Sequence, residues 1–267
     1  MHVTGMPRRL RRATILLAVA LLALASISAA SAQTGMPAAI TKEGDKIHDL
    51  WTFTLIIAVI VFVAVEAAIL YAVFAFRKKN DDLPTQTHGS TLVEVIWTSI
   101  PVIIVVALFT YSFIVLRDIE NKAADEDLTI QVQGFQFQWG FTYKLNDLGT
   151  NTPDPNAEGE ISILGTASEK PVLVIPKDEP VEFALFSEDV IHSFYVRDFL
   201  YKLDVIPGRD NRFVVTAHTE GEFHAQCAEL CGLDHALMQF TLKVVSREEF
   251  DKWVAETSTE KAAQRTQ

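Results

Sequence analysis

Two long apolar runs constrain this chain more than any other feature. Trp51–Phe76 is 26 residues with a single charge, Glu66, and Trp97–Leu116 is 20 residues with none. At a rise of about 1.5 Å per residue, each crosses a hydrocarbon layer of about 30 Å as a helix. Pro101 falls in the first turn of the second run, where the missing N–H costs little. Two transmembrane helices, at about 51–76 and 97–116, are therefore predicted within residues 33–116. Arg77, Lys78 and Lys79 follow the first helix directly, so the positive-inside rule puts the short connector in the cytoplasm and both flanks outside.

A shorter apolar run supports the same orientation. Ala13–Ile27 follows Arg8, Arg9, Arg11 and Arg12 and is followed by Ala30-Ser31-Ala32. That order describes a secretory signal peptide over residues 1–32, with an uncleaved anchor as the competing reading. The only cysteines are Cys227 and Cys231, so a lipoprotein signal is excluded. A cleaved signal independently leaves the mature N-terminus outside.

Everything after Leu116 is then exported. Residues 117–267 carry 27 acidic and 14 basic residues, a net charge of −13. Such acidity without a basic patch argues against nucleic acid as a partner. Leu128, Ile130 and Val132 alternate with polar residues, as in a strand. The phase slips at Gly134, and Phe135, Phe137, Trp139 and Phe141 continue on the other parity, which reads as a β-bulge. Further strands are expected at Val172–Ile175, Val181–Phe186, Arg212–Thr216, Gly221–Ala225 and Phe240–Val245. No gap between them shows a helical period, so an antiparallel β-sandwich or barrel over 117–247 is expected. Asn146–Glu160 reads as a surface loop, and the polar tail 248–267 as a short, fraying helix.

The chemistry is concentrated in Cys227-Ala-Glu229-Leu-Cys231-Gly-Leu-Asp-His235-Ala-Leu-Met238, with two thiols, an imidazole and a thioether in twelve residues. Soft sulfur with imidazole selects copper or zinc over magnesium or calcium, and a thioether favours copper. A mononuclear blue-copper site uses one Cys, so the second argues for a compact dinuclear centre bridged by both thiolates. Two coppers need a further imidazole. Among His192, His218 and His224, the first is preferred, because it sits in a short polar break after a strand (Asp189-Val-Ile-His192-Ser-Phe). The competing readings are a Cys227–Cys231 disulfide and a zinc site, which would leave Met238 idle. Covalent haem c is excluded, because the chain has no Cys-x-x-Cys-His.

On these residues the chain resembles subunit II of the haem-copper oxygen reductases, the cytochrome c oxidases. The resemblance implies two membrane helices followed by an all-β, Greek-key, cupredoxin-like domain carrying a dinuclear copper A centre. It implies that Cys227 and Cys231 bridge both coppers, that His192 and Met238 complete one ion, and that His235 and the Glu229 carbonyl complete the other. The Glu229 carboxylate would also help hold magnesium or manganese at the boundary with subunit I. Glu94 matches a glutamate at a proton-uptake entrance, although an acid at a helix start has an ordinary stabilising role too. Lys202-Leu-Asp204-Val-Ile-Pro207-Gly208-Arg209 resembles a segment that docks on subunit I, and Glu66 is read as packing against another subunit.

The resemblance departs at one place. In Gly134-Phe-Gln-Phe137-Gln-Trp139, the position where the family keeps the electron-accepting Trp holds Phe137, so either electron entry is expected at Phe137, at Trp139 or by another surface route, or the donor is not the usual soluble cytochrome. The implied role is electron entry from cytochrome c into an oxidase containing subunit I and subunit III, in a bacterial inner membrane with the copper domain in the periplasm. A copper carrier without turnover and a quinol-oxidising relative are the rival readings.

Overall fold

In the computed structural model, the residues described are 35–78, 86, 88–120, 128–144, 160–166 and 169–265. The expected signal peptide, Lys79 of the connector and all of the Asn146–Glu160 segment except Glu160 lie outside them.

Two helices lead the described chain, α1 (Lys42–Ala75) and α2 (Thr91–Glu120). Both begin before their apolar runs, and α2 also ends beyond its own. At 34 and 30 residues they are about 51 and 45 Å long, longer than the hydrocarbon they would cross. The added length of α1 is polar: Thr41 caps it by accepting from the Gly44 N–H at 2.9 Å, and Lys42, Glu43, Asp45, Lys46, His48 and Asp49 fill its first turns. This end meets the β-domain. Glu43 is buried and accepts from the Thr216 N–H at 2.8 Å, His218 Nε2 lies 3.1 Å from Asp45, and Thr41 bridges to Ala217. Lys46 pairs with Asp118 of α2. Most of the apolar surface of both helices is exposed, as lipid-facing helices require.

The β-domain is two packed five-stranded sheets. One runs β3-β2-β1-β5-β8: β1 (Thr129–Phe135), β2 (Gln138–Lys144), β3 (Glu160–Leu164), β5 (Pro180–Ser187) and β8 (Asn211–Thr216). The other runs β4-β10-β9-β6-β7: β4 (Val172–Pro176), β6 (His192–Val196), β7 (Tyr201–Val205), β9 (Gly221–Cys227) and β10 (Gln239–Val245). Trp139, Phe141, Phe183, Phe194 and Phe240 are fully buried between the sheets and pack edge-on or tilted, with centroids 5.0–6.0 Å apart. Tyr143 links the layers, because its hydroxyl accepts from the Val174 N–H at 2.8 Å and donates to the Val174 carbonyl at 3.0 Å.

The structure corrects the sequence reading in several places. Pro101 lies inside α2, ten residues after Thr91, rather than in its first turn. The phase slip at Gly134 is a hairpin, with Phe135 facing Gln138 across a turn of Gln136 and Phe137. A bulge and a reversal both exchange the two faces, and alternation alone cannot separate them. Next, β1–β5 and β10–β4 pair in parallel, although most other pairings are antiparallel. No helical crossover is needed, because the chain between each parallel pair passes through the opposite sheet. Three strands are additional to those expected, β3, β6 and β7: β3 opens on Glu160, the last residue of the expected loop, and β6 opens on His192 itself, so that residue begins a strand rather than a break. Finally, the tail forms α3 (Arg247–Arg265), whose first turns are anchored rather than fraying. Phe250 is buried and Trp253 packs on Tyr143 with ring centroids 5.0 Å apart.

Candidate metal centre

Neighbouring strands bring the sulfur and nitrogen donors together. β6 and β9 pair with Phe194 opposite Cys227, so the start of β6, His192, lies beside the end of β9. The chain then leaves β9, loops over residues 228–238 and returns as β10. The Cys227 N–H bonds the Met238 carbonyl at 2.9 Å, and the Ala228 N–H bonds the Ser193 carbonyl at 3.0 Å. Both ends of the loop are thus pinned to the sheet that carries His192.

Within this frame Cys227 Sγ lies 3.9 Å from His192 Nδ1, 3.9 Å from Cys231 Sγ and 3.2 Å from the Glu229 carbonyl oxygen. Cys231 Sγ lies 3.5 Å from His235 Nδ1 and 3.8 Å from Met238 Sδ. Among the described residues, the ligand atoms of His192, Cys227 and Cys231 fall within 4.8 Å of one another. Two donors bound to one metal at about 2.0–2.3 Å stand about 3.5 Å apart when the geometry is tetrahedral. The observed separations are therefore those of donors that can share an ion. Both thiols are free, and His192, Cys227, Cys231 and Met238 are buried while His235 is half-buried.

Asp189 orders the imidazole. Its carboxylate lies 2.9 Å from His192 Nε2 and accepts from the Val190 N–H at 2.6 Å and the Gln136 N–H at 2.7 Å. A carboxylate only accepts, so Nε2 must carry the proton and Nδ1 presents its lone pair to Cys227. Burial would raise the Asp189 carboxyl, but hydrogen bonds from His192, Val190 and Gln136 hold it below its ordinary value. Burial alone would raise the Cys227 thiol as well. Its neighbours His192, Glu229 and Ser193 overcome that and bring it down to about 7. Cys231 is pushed up to about 12, first by burial and then by the charge of Cys227 beside it. Two buried sulfurs that oppose each other's ionisation suit a cation held between them.

Other predicted residues fall elsewhere. Trp139 has zero exposure, so it cannot be the surface a donor touches. It lies under the centre instead, with its ring 6.2 Å from that of His192 and Nε1 3.5 Å from the Met238 carbonyl. Phe137 is half-buried in the β1–β2 turn against Gly232, next to Cys231. His218 pairs with Asp45 near α1, and His224 is exposed on β9 opposite Thr241. Glu94 sits in the first turn of α2, 26 residues and about 39 Å of helix from Glu120. Glu66 is exposed on α1, and the Glu229 side chain is exposed as well. Asp189 and Gln136 went unrecognised as site residues. For Asp189 the signal was its place three residues before His192; Gln136 left none, because its partner is 95 positions away.

Comparison with known proteins gives the family. The model of the cytochrome c oxidase subunit II periplasmic domain matches residues 128–245, and that of its transmembrane domain matches residues 29–115. A probable cytochrome c oxidase subunit 2 of Streptomyces avermitilis is 38% identical, over 82% of this chain and 77% of the relative. The chain belongs to the cytochrome c oxidase subunit II family. The cytochrome c oxidase subunit 2 of Cereibacter sphaeroides is 33% identical, over 83% of this chain and 79% of its own. Among solved structures, the periplasmic domain of cytochrome oxidase subunit II from Bradyrhizobium japonicum is 35% identical, covering 51% of this chain and 96% of that one, with a TM-score of 0.42. This subunit II is accordingly a membrane-anchored component of an oxidase, with two apolar N-terminal helices and a β-sandwich that corresponds to the family's periplasmic domain.

Proposed function

We propose that this subunit II is the electron-entry component of a terminal oxidase in a bacterial inner membrane. It accepts electrons from a cytochrome c on the periplasmic side and passes them towards haem in subunit I, where oxygen is reduced to water and protons are pumped. The observation that carries this reading is the convergence of His192, His235, Met238 and the Glu229 carbonyl on the adjacent sulfurs of Cys227 and Cys231, each within 3.2–3.9 Å of one of them. The donor set fits copper A: Cys227, Cys231, His192, Met238, His235 and the Glu229 carbonyl would hold its two ions. Bound there, the copper pair would supply a reversible one-electron site.

The chain's own residues do the rest. Asp189 fixes the His192 tautomer, and the pinned ends of the 228–238 loop hold the sulfurs in place, so little reorganisation accompanies a change of charge. Trp139, Phe194 and Phe240 keep water from the inner side. The net negative charge of the exported half favours a basic donor. With Trp139 buried, entry falls to the Phe137 turn. The exposed Glu229 carboxylate is available to a magnesium or manganese ion shared with subunit I, and the Lys202–Arg209 segment to docking on that subunit. Glu94, in the first turn of α2 at the end away from the β-domain, would serve proton uptake, and subunit III would complete the assembly.

The test is metal analysis with electron paramagnetic resonance on the purified oxidase. Two coppers in this subunit, with one unpaired electron shared over both nuclei, is the expected result. Zinc, a single copper, or a Cys227–Cys231 disulfide in the active complex would refute it.

A further inference from the structure

The β1–β2 turn holds both halves of the centre at once. The Gln136 backbone N–H donates to Asp189 Oδ2 at 2.7 Å, and Asp189 Oδ1 in turn holds His192 Nε2 at 2.9 Å. The Gln136 side chain reaches the other way, with Nε2 donating to the Cys231 carbonyl at 2.6 Å. Next to it, the Phe137 ring lies against Gly232, where a Cβ would stand 2.8 Å from Cε1 and where φ is +138°. The loop from Ala228 to Leu237 crosses the gap between β9 and β10, so its middle lacks the ladder bonds that fix its ends. Among the described contacts, the Gln136 amide is what joins the Cys231 peptide to the segment carrying His192.

We infer that Gln136 is a positioning residue of the metal centre, bracing the Cys231 peptide against the Asp189–His192 segment through a turn that also faces solvent. The inference rests on the copper reading above. Gln136 touches neither metal nor donor atom; it acts through the Cys231 carbonyl and the Asp189 carboxylate. Because Gln136 is exposed, its side chain is not required to fill the core, and a variant should fold.

The test compares wild type, Gln136→Met and Gln136→Lys in the purified oxidase. Met keeps the length and removes the donor, whereas Lys restores one. Two readouts are needed besides turnover: the rate of copper loss to a soluble copper(I) chelator, and the copper hyperfine pattern in the resonance spectrum. Loss of one neutral hydrogen bond predicts copper release about fivefold faster for Met, an altered hyperfine pattern, and recovery towards wild type for Lys. Unchanged release and spectrum for Met would overturn the positioning role while leaving the copper centre intact. Equal changes for Met and Lys would overturn it too, since the donor would not be the cause. A wild-type chain without two coppers would instead sink the reading on which it rests.

Discussion

Removing the Asp189 carboxylate should loosen the centre without touching a ligand. The carboxylate holds four groups: His192 Nε2 at 2.9 Å, the Gln136 N–H at 2.7 Å, the Val190 N–H at 2.6 Å and Ser187 Oγ at 3.1 Å. In Asp189→Ala the imidazole N–H is left buried without an acceptor, a cost of about 1–3 kcal/mol, and either tautomer becomes accessible to the ring. Partners that orient a ligating His are worth about 10–100-fold in metal affinity, so copper should leave the variant oxidase at least tenfold faster than wild type. Asp189→Asn sharpens the argument. Every partner of this carboxylate can donate, so the amide NH₂ must face a donor, and Asn should recover only part of the loss. Copper release to a chelator, followed with the resonance spectrum of the full complex, measures both variants. Release within twofold of wild type for Asp189→Ala, with the spectrum unchanged, would refute the assignment of Asp189 as the orienting group.

Other perturbations test the frame around the site. Tyr143→Phe strips both bonds from buried Val174 and should cost about 1–3 kcal/mol in chemical denaturation of the full chain in detergent; no loss would mean that the hydroxyl is not a tie between the layers. Phe250→Ala should cost about 3–5 kcal/mol at the junction of α3 with the sandwich, seen as faster proteolysis after residue 247. Gly232→Ala asks a side chain to adopt a φ of +138° and to displace Phe137, so loosened copper binding is expected from an otherwise folded chain; wild-type retention would show that the loop gives way freely. Reduction by a basic cytochrome c should slow steeply as salt rises, and a salt-independent rate would remove the role of the acidic surface.

The membrane helices and the ligand types were legible because each signal is local. An uninterrupted apolar run has one stable environment, and Cys227, Cys231, His235 and Met238 fall within twelve residues whose chemistry speaks for itself. Most strands showed through alternation for the same reason. What alternation could not carry was direction: it fixes which residues share a face, not whether the chain turns back at Gln136 or runs on past a bulge. The start of β6 at His192 and the burial of Trp139 beneath the loop also had no local sign, because each depends on which strand lies alongside. The sequence alone thus determined two membrane helices, a β-rich second half and the kind of donor atoms the candidate site offers. The tertiary structure decided that His192 stands beside Cys227, that Asp189 sets its tautomer and that Gln136 reaches Cys231. The first and last of those contacts join residues 35 and 95 positions apart, and only the packing of the strands brings such distant donors and acceptors to within bonding reach; Asp189 is three residues from His192, and there the fold fixes only which way its carboxylate turns.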